Sequence, residues 1–309
     1  MKAIAIDDYG APATLHELPT PTPAEGEVLV KVMYSSINGF DLAVANGYLK
    51  GLMEHHFPVV LGKDFAGTVE ALGSGVDGLS VGDHVFGVVM KDSLGDGSFG
   101  EYVTVPAAFT TRVPAGLDLA TAGALGLAGT AAINAVDAIA PARGETVLVA
   151  GATGGVGAFV VQLAAARGAH VIATAQPGDE VNHVRQLGAA ETVDYTADLT
   201  ASVVALRPDG VHAVVHLAGD GVELAKLIVP GGRIASTLGL TAEAFAGHDV
   251  VAIPIMAVPI AATLDRLADE VVAGHLRVPI QSTYTLDQVP QAFADYSAGS
   301  RGKLSVQVS

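Results

Sequence analysis

The sequence predicts a two-domain α/β protein: an all-β domain, a doubly wound parallel α/β domain, and a C-terminal segment that returns to the first. Three observations predict it. A chain of 309 residues is longer than one hydrophobic core usually grows. Up to about Ala120 short β-type runs stand between turn residues, and from Thr121 strands alternate with helices. A last strand, Lys303 to Val308, follows that series with no neighbour in it. The expected division is 1–120, 121–258 and 259–309.

In the first part the clearest strands are Val28 to Tyr34, Gly67 to Leu72, His84 to Val89 and Glu101 to Val105, with one helix near Asp41 to Ala45. Gly73 to Asp83, rich in glycine, is loop. In the second part Thr146 to Ala150 is a short apolar strand. Gly155 to Arg167 follows as a helix, with Val156, Phe159, Val160 and Leu163 on one face. His170 to Thr174, Ala213 to Leu217 and Arg233 to Thr237 continue the sheet, and Val250 to Ile255 closes it. Beyond Pro259 come a helix to about Gly274, a strand Thr283 to Leu286, a helix Asp287 to Ser297 and the last strand.

Half the residues are apolar and 16% are charged, so the chain buries sizeable cores. The formal charge of -16, with no Lys/Arg cluster to offset it, repels phosphate backbones and argues against nucleic acid as a partner. Cysteine is absent, which excludes disulfides, thiolate nucleophiles and Cys-ligated metals. The opening Met1 to Gly10 puts Asp7 and Asp8 where a signal peptide needs apolar residues. The greasiest run, Val251 to Ala262, is too short to span a bilayer, is broken by Pro254 and Pro259, and reads as a buried strand followed by a helix start. A cytoplasmic protein with no membrane partner is expected.

The run Gly151-Ala152-Thr153-Gly154-Gly155-Val156-Gly157 lies between a predicted strand and a predicted helix, the context in which such a run points to a dinucleotide. Gly154 and Gly155 let the backbone approach a pyrophosphate at the positive helix N-terminus, and Gly157 lets helix pack on strand. The next strand ends Ala173-Thr174-Ala175-Gln176, with no acid to hold the adenosine ribose, which leans towards NADP(H) over NAD(H). Against that lean, no Arg or Lys within Gln176 to Glu180 could grip a 2′-phosphate, and Asp179 and Glu180 would oppose one. Thr174, Gln176 and Tyr195 are candidate polar contacts or ordinary strand-end and loop residues. Leu217-Ala218-Gly219 and Thr237-Leu238-Gly239 follow parallel strands at the carboxyl edge, where their backbone would face ribose and carboxamide.

This order resembles the medium-chain dehydrogenase/reductase superfamily, and within it the zinc-free quinone oxidoreductase-like branch. The residues that carry the resemblance are Met1-Lys2-Ala3-Ile4 with Tyr9-Gly10, Ser35-Ser36-Ile37-Asn38 with Asp41, Pro58 to Gly67, and Val81 to Val85. Glu101-Tyr102-Val103, Ala128 to Ala131, the glycine turn, Pro230 to Arg233 and Gly302-Lys303 follow in the family's order. The resemblance implies a GroES-like barrel completed by the C-terminal segment, a Rossmann domain, and a homodimer formed around Val250 to Ile255. The superfamily's alcohol dehydrogenases hold catalytic zinc with Cys, His and Cys. By register those positions are Asn38, Lys63 and Gly126 here, a set that cannot ligate zinc. His55 and His56 read as solvated loop residues.

By the same resemblance Asn38 lies beside the nicotinamide, though it also suits a turn before Gly39. Thr130 matches a threonine near the nicotinamide, or caps a helix. Tyr48 is the candidate proton donor or substrate clamp. Lys63 and Asp64 should line the substrate cleft and form an ion pair there; Lys303 either approaches the cofactor or substrate mouth or is a strand-edge lysine. A second tyrosine seen in some quinone reductases is unmatched, since Leu42, Ala43 and Val44 fill its stretch. Without a metal the expected reaction is hydride transfer from the nicotinamide to a quinone or α,β-unsaturated carbonyl. The alternatives are a 2-enoyl thioester reductase and a nucleotide-binding scaffold without turnover.

Overall fold

The computed structural model describes residues 1–240, 242–247 and 249–309. In chain order the first elements are β1 (Lys2–Ile6), β2 (Thr14–Glu17), β3 (Glu27–Ser36), α1 (Gly39–Ala45), β4 (Glu54–His55), β5 (Val59–Val60) and β6 (Asp64–Leu72). Next come β7 (His84–Val88), β8 (Ser93–Leu94), β9 (Tyr102–Pro106), β10 (Thr110–Arg112), α2 (Leu119–Ala122) and α3 (Gly126–Ile139). The α/β series is β11 (Thr146–Ala150), α4 (Gly155–Ala166), β12 (His170–Thr174), α5 (Asp179–Gln186), β13 (Glu191–Val193), α6 (Leu199–Leu206), β14 (Val211–His216), α7 (Gly221–Ala225), β15 (Ile228–Ser236) and β16 (Val250–Pro254). The chain ends with α8 (Ala261–Val272), β17 (Ile280–Thr285), α9 (Val289–Ala298) and β18 (Lys303–Gln307). Two compact units result: Met1–Thr130 with Pro259–Gly274 and Ile280–Ser309, and Ala131–Val258 with His275–Pro279.

The first unit is built on β3. Its ten residues pair antiparallel with β9 through Glu27–Lys31, with β6 through Val28–Tyr34 and with β18 through Tyr34–Ser36. Register shifts after Leu29 and Val32 bend the strand as it passes between partners. The sheet runs β10-β7-β6-β3-β18-β17, with β9 also on β3. Val28, Val30 and Val32 point into a core with Phe65, Val85 and Val103, each buried valine contributing roughly 1.5–3 kcal/mol. A second core gathers Ile4, Ile6, Ile37, Phe99, Val289, Leu304 and Val306. The last strand thus belongs to this sheet, which β18 enters parallel to β17 and antiparallel to β3.

The second unit is a parallel sheet in the order β13-β12-β11-β14-β15-β16. Every residue of β11 is buried, as expected for a strand covered on both faces. Register sets Ala150 beside His216 and His216 beside Ser236, so β11, β14 and β15 end on one edge, with β12 ending beside them at Thr174. The run from Val251 is not the buried strand its composition predicts. β16 pairs only with β15 and lies at the sheet edge, with Val251 54% exposed. Among the described residues no helix is long and apolar enough to cross a membrane.

Candidate active site

In the first unit a buried polar cluster forms around Asp64, the first residue of β6. Asn38, the N-cap of α1, donates its Nδ2 to Asp64 Oδ2 at 2.9 Å and to Ser36 O at 3.2 Å. Its Oδ1 accepts from Lys303 Nζ at 2.7 Å. Asp64 Oδ2 also accepts from Ser36 Oγ at 2.6 Å and Lys303 Nζ at 3.3 Å, while Oδ1 accepts the Leu127 N–H at 2.6 Å, at the start of α3. Lys303 further donates to Ile37 O at 3.1 Å. An ion pair buried this deeply persists because its remaining hydrogens and lone pairs are satisfied.

This arrangement corrects several expectations. Asp64 pairs with Lys303, not with Lys63: neighbouring residues of an extended chain point to opposite sides, and the Lys63 ammonium donates to Val89 O at 2.9 Å over the Phe40 ring. Lys303 is neither at a mouth nor on an edge; it is 2% exposed on a strand with neighbours on both sides. Asn38 gives both amide hydrogens to the protein, so it holds the cluster rather than offering a donor. Tyr48 lies beyond the other end of α1 and is 72% exposed, so roughly 10 Å of helix axis separates it from Asn38. His55 is not solvated: its ring packs against Tyr9 and Phe57, whereas His56 is exposed. Thr130 lies inside α3, not at its cap, and its buried hydroxyl has no partner.

The zinc donor set does not fit. Asn38 and Gly126 both converge on the Asp64 carboxylate, and a Cβ at Gly126 would meet Asp64 Oδ1 at 2.9 Å and Gly87 O at 3.0 Å. Among the described residues no three His, Cys, Asp or Glu side chains gather in a metal-holding arrangement. A carboxylate, a lysine ammonium, an amide and a serine hydroxyl stand together instead.

One residue of this cluster was missed as a functional candidate. Asp41 accepts the Asn38 N–H at 2.8 Å through Oδ2, while its Oδ1 is buried without a partner. Burial pushes its carboxyl up to about 7, the Asn38 N–H opposing and the Asp64 carboxylate adding to the rise. Burial also lowers the Lys63 ammonium to about 8, against the pull of Asp41. Both line a small cavity with Phe40, Leu61 and Gly62. The signal in the sequence was Asp41 itself, three residues into a helix that Asn38 begins.

In the second unit the glycine turn joins β11 to α4. A Cβ at Gly157 would meet Gly151 O at 2.1 Å and Ala152 Cα at 2.6 Å, so only glycine lets the helix sit this close. Gly154, the N-cap, has nothing nearer than Gly151 O at 3.8 Å and leaves the turn open. The first intrahelical bond runs from Ala158 N–H to Gly154 O at 2.9 Å, so the N–H groups of Gly155, Val156 and Gly157 lie ahead of it, where an anion fits. Ala152 is buried and Thr153 partly so. Thr174 Oγ1 accepts the Gly151 N–H at 2.9 Å and lies 3.3 Å from Val149 O; it fixes the turn from behind.

His216, also missed, ties the neighbouring loops. Its Nε2 is 3.0 Å from Gly219 O and its Nδ1 3.0 Å from Ser236 Oγ, which accepts the Leu238 N–H at 3.1 Å. In a neutral ring one proton arrangement satisfies all three: Nε2–H donates to the carbonyl, and Nδ1 accepts from the serine. The loops Leu217–Gly219 and Leu238–Gly239 are thus fixed to each other, both glycines at positive φ. The end of β12 carries no acid of its own, as the sequence shows, but one from α5 lies beside it. Glu180 folds back so that Oε2 accepts the Gln176 N–H at 2.8 Å and Oε1 accepts from the Tyr195 hydroxyl at 3.2 Å.

With this geometry in place, the family relationship is direct. Residues 24–115 match the alcohol dehydrogenase GroES-like domain, and residues 187–304 match the zinc-binding dehydrogenase family. The quinone oxidoreductase QR1 of Triphysaria versicolor is 30% identical over 99% of this chain and 98% of its own length. The chain belongs to the medium-chain dehydrogenase/reductase superfamily, in its quinone oxidoreductase-like branch. Another member, the NADPH-dependent alkenal/one oxidoreductase of Arabidopsis thaliana, is 31% identical over 77% of this chain and 63% of its own. The solved quinone oxidoreductase from Coxiella burnetii covers 100% of this chain and 99% of its own at a TM-score of 0.89 and 28% identity. Membership makes the two units a GroES-like barrel and a Rossmann domain, and the chain an oxidoreductase.

Proposed function

We propose that the chain is a zinc-independent, NAD(P)H-dependent reductase of activated acceptors, a quinone or an α,β-unsaturated carbonyl. The observation that carries it is the set of residues that the resemblance aligns with the superfamily's zinc ligands: the amide of Asn38 and Gly126, both packed on Asp64, and the ammonium of Lys63, which donates to Val89 O. A bound nicotinamide supplies the hydride. Without a Lewis acid, the acceptors that suit the site are those whose own conjugation takes up the negative charge. The protein's part is to hold: N–H groups at the start of α4 face the pyrophosphate, and the His216–Ser236 pair fixes the two loops beside it. Asn38, expected beside the nicotinamide, is engaged within the protein, and exposed Tyr48 is the proton donor of this reading. An NADPH preference draws support from the printed name of the Arabidopsis relative, and the acid at the end of β12 opposes it. The exposed apolar residues Val251 and Val258 beside the β16 edge favour a homodimer joined there.

The test follows NADH and NADPH oxidation across a panel of quinones, enones and enoyl thioesters, with and without a chelator. Turnover with quinones or enones, unchanged by chelation, is expected. Activity lost to chelator and restored by zinc would overturn the zinc-independent reading. Turnover with thioesters alone assigns the chain to enoyl thioester reduction, and binding without any turnover assigns it to the scaffolds.

A further inference from the structure

In a doubly wound domain the pyrophosphate of a dinucleotide lies at the turn after the first strand, and the adenosine at the end of the second. Those strands are β11 and β12 here. β14 and β15 stand on the other side of β11, so the nicotinamide half extends over their ends. The loop after β14, Leu217–Gly219, starts against the glycine turn: the Leu217 N–H donates to Ala150 O at 3.0 Å, and a Cβ at Gly151 would meet Leu217 Cβ and Ala218 Cβ at 3.1 Å. Its far end hangs on a side chain, since the Gly219 carbonyl accepts from His216 Nε2 at 3.0 Å. The loop after β15 hangs on the same ring: Ser236 Oγ accepts the Leu238 N–H and donates to His216 Nδ1 at 3.0 Å.

The loops have little stiffness of their own. Gly219 and Gly239 stand at φ 86° and 71°, and glycine carries no side chain to lock such a turn. The imidazole supplies what they lack. It is 2% exposed, and Gly221, the first residue of α7, sits against it: a Cβ there would meet Nδ1 and Cε1 at 2.9 Å and strike Leu240, just past the second loop. One ring thus fixes the end of β14, the start of α7 and the chain after β15. Hydride transfer depends on how closely the nicotinamide is held, and backbone that faces it keeps its shape only through what fixes that backbone.

We propose that His216 is a positioning residue for hydride transfer: its two ring nitrogens hold both loops in the shape that receives the nicotinamide half, while the pyrophosphate and adenosine do not depend on it. This rests on the reductase reading above and adds which side chain sets the reacting end of its cofactor site.

Calorimetric titration of the full chain with NADH, NADPH and ADP tests it apart from turnover, because ADP carries the adenosine and both phosphates but no nicotinamide. In His216→Leu, which removes both nitrogens, binding of NADH or NADPH should weaken about tenfold while ADP changes by less than about twofold. His216→Gln, whose amide has an N–H for Gly219 O, should recover part of that loss. Ser236→Ala removes the acceptor of the Leu238 N–H and leaves β14 untouched, so it should show the same split more weakly and serves if the His216 variants do not fold. ADP weakened as much as the nicotinamide cofactors would make the pair a prop of the whole domain and overturn the role of His216. Nicotinamide binding unmoved in these variants overturns it too. ADP bound without either nicotinamide cofactor by the unaltered chain overturns the reductase reading, and binding of none of the three overturns the dinucleotide reading beneath it.

Discussion

The two polar centres of this molecule use the same kinds of groups in opposite ways. In the barrel unit the donors and acceptors around Asp64 are turned on one another until its lone pairs and the Lys303 ammonium are satisfied. At the carboxyl edge of the Rossmann sheet, Thr174, His216 and Ser236 satisfy the backbone from behind, and the start of α4 keeps its N–H groups ahead of the helix. The first centre is therefore closed framework. The second is framework that leaves the first N–H groups of a helix without an intrahelical partner.

The largest effect that would break this comparison lies in the barrel. Asp64→Ala leaves the Lys303 ammonium buried without its carboxylate, and should cost about 3–5 kcal/mol in denaturant unfolding. Adding Lys303→Met should recover much of that loss, since both charges then go. A single variant within about 1 kcal/mol of the parent would mean that the cluster does not hold the barrel.

Asp41 sharpens the comparison through pH, because it is the member of the barrel centre with an acceptor left over. Its folded value of about 7 stands above the ordinary 3.8, so the native state binds the proton more tightly than the unfolded chain. That stabilisation is complete below about 3.8 and is lost as pH rises to about 7. Lys63, lowered from 10.5 to about 8, acts in the other window: its contribution is present above 10.5 and is lost as pH falls to about 8. Other charged or titratable groups bearing on Asp41 are Asp64, Lys303 and the Tyr296 phenol of α9. Asp41→Asn keeps an acceptor for the Asn38 N–H and should flatten stability between pH 4 and 7. Near pH 7.5 the variant should exceed the parent by on the order of 3 kcal/mol. Parallel pH–stability curves for the two proteins would refute the assignment.

What could be read in advance follows the range of the forces involved. β11 and β12 have the bounds that their apolar runs predict, and α4 starts at the predicted glycine, because periodicity and glycine chemistry are local. The positions of Asn38, Lys63 and Gly126 were legible only through resemblance. The ion pair beside them was not, since Lys303 and Asp64 stand 239 residues apart and meet only once β18 lies beside β3. Side-chain direction was equally hidden. Lys63 and Asp64 are adjacent in sequence and face different partners, and Glu180 reaches a strand end four residues behind it. His216 was visible as a strand-end residue, but its hydrogen bonds depend on Ser236 from the next strand.

The smallest predicted effect probes the Rossmann side. Thr174→Val keeps the shape of the side chain and removes the hydroxyl that accepts the Gly151 N–H. One buried backbone donor is left without a partner, a cost of about 1–3 kcal/mol that relaxation of the turn should hold near the lower end. The informative quantity is the division of that loss. If Thr174 fixes the turn from behind, the variant should lose cofactor affinity several-fold with NADH and NADPH alike, because the pyrophosphate site is common to both. If the hydroxyl instead touches the ribose, the two affinities should change unequally. Titrating both cofactors against Thr174→Val beside the parent separates these, and an unequal change would move Thr174 from the framework into the ligand contacts.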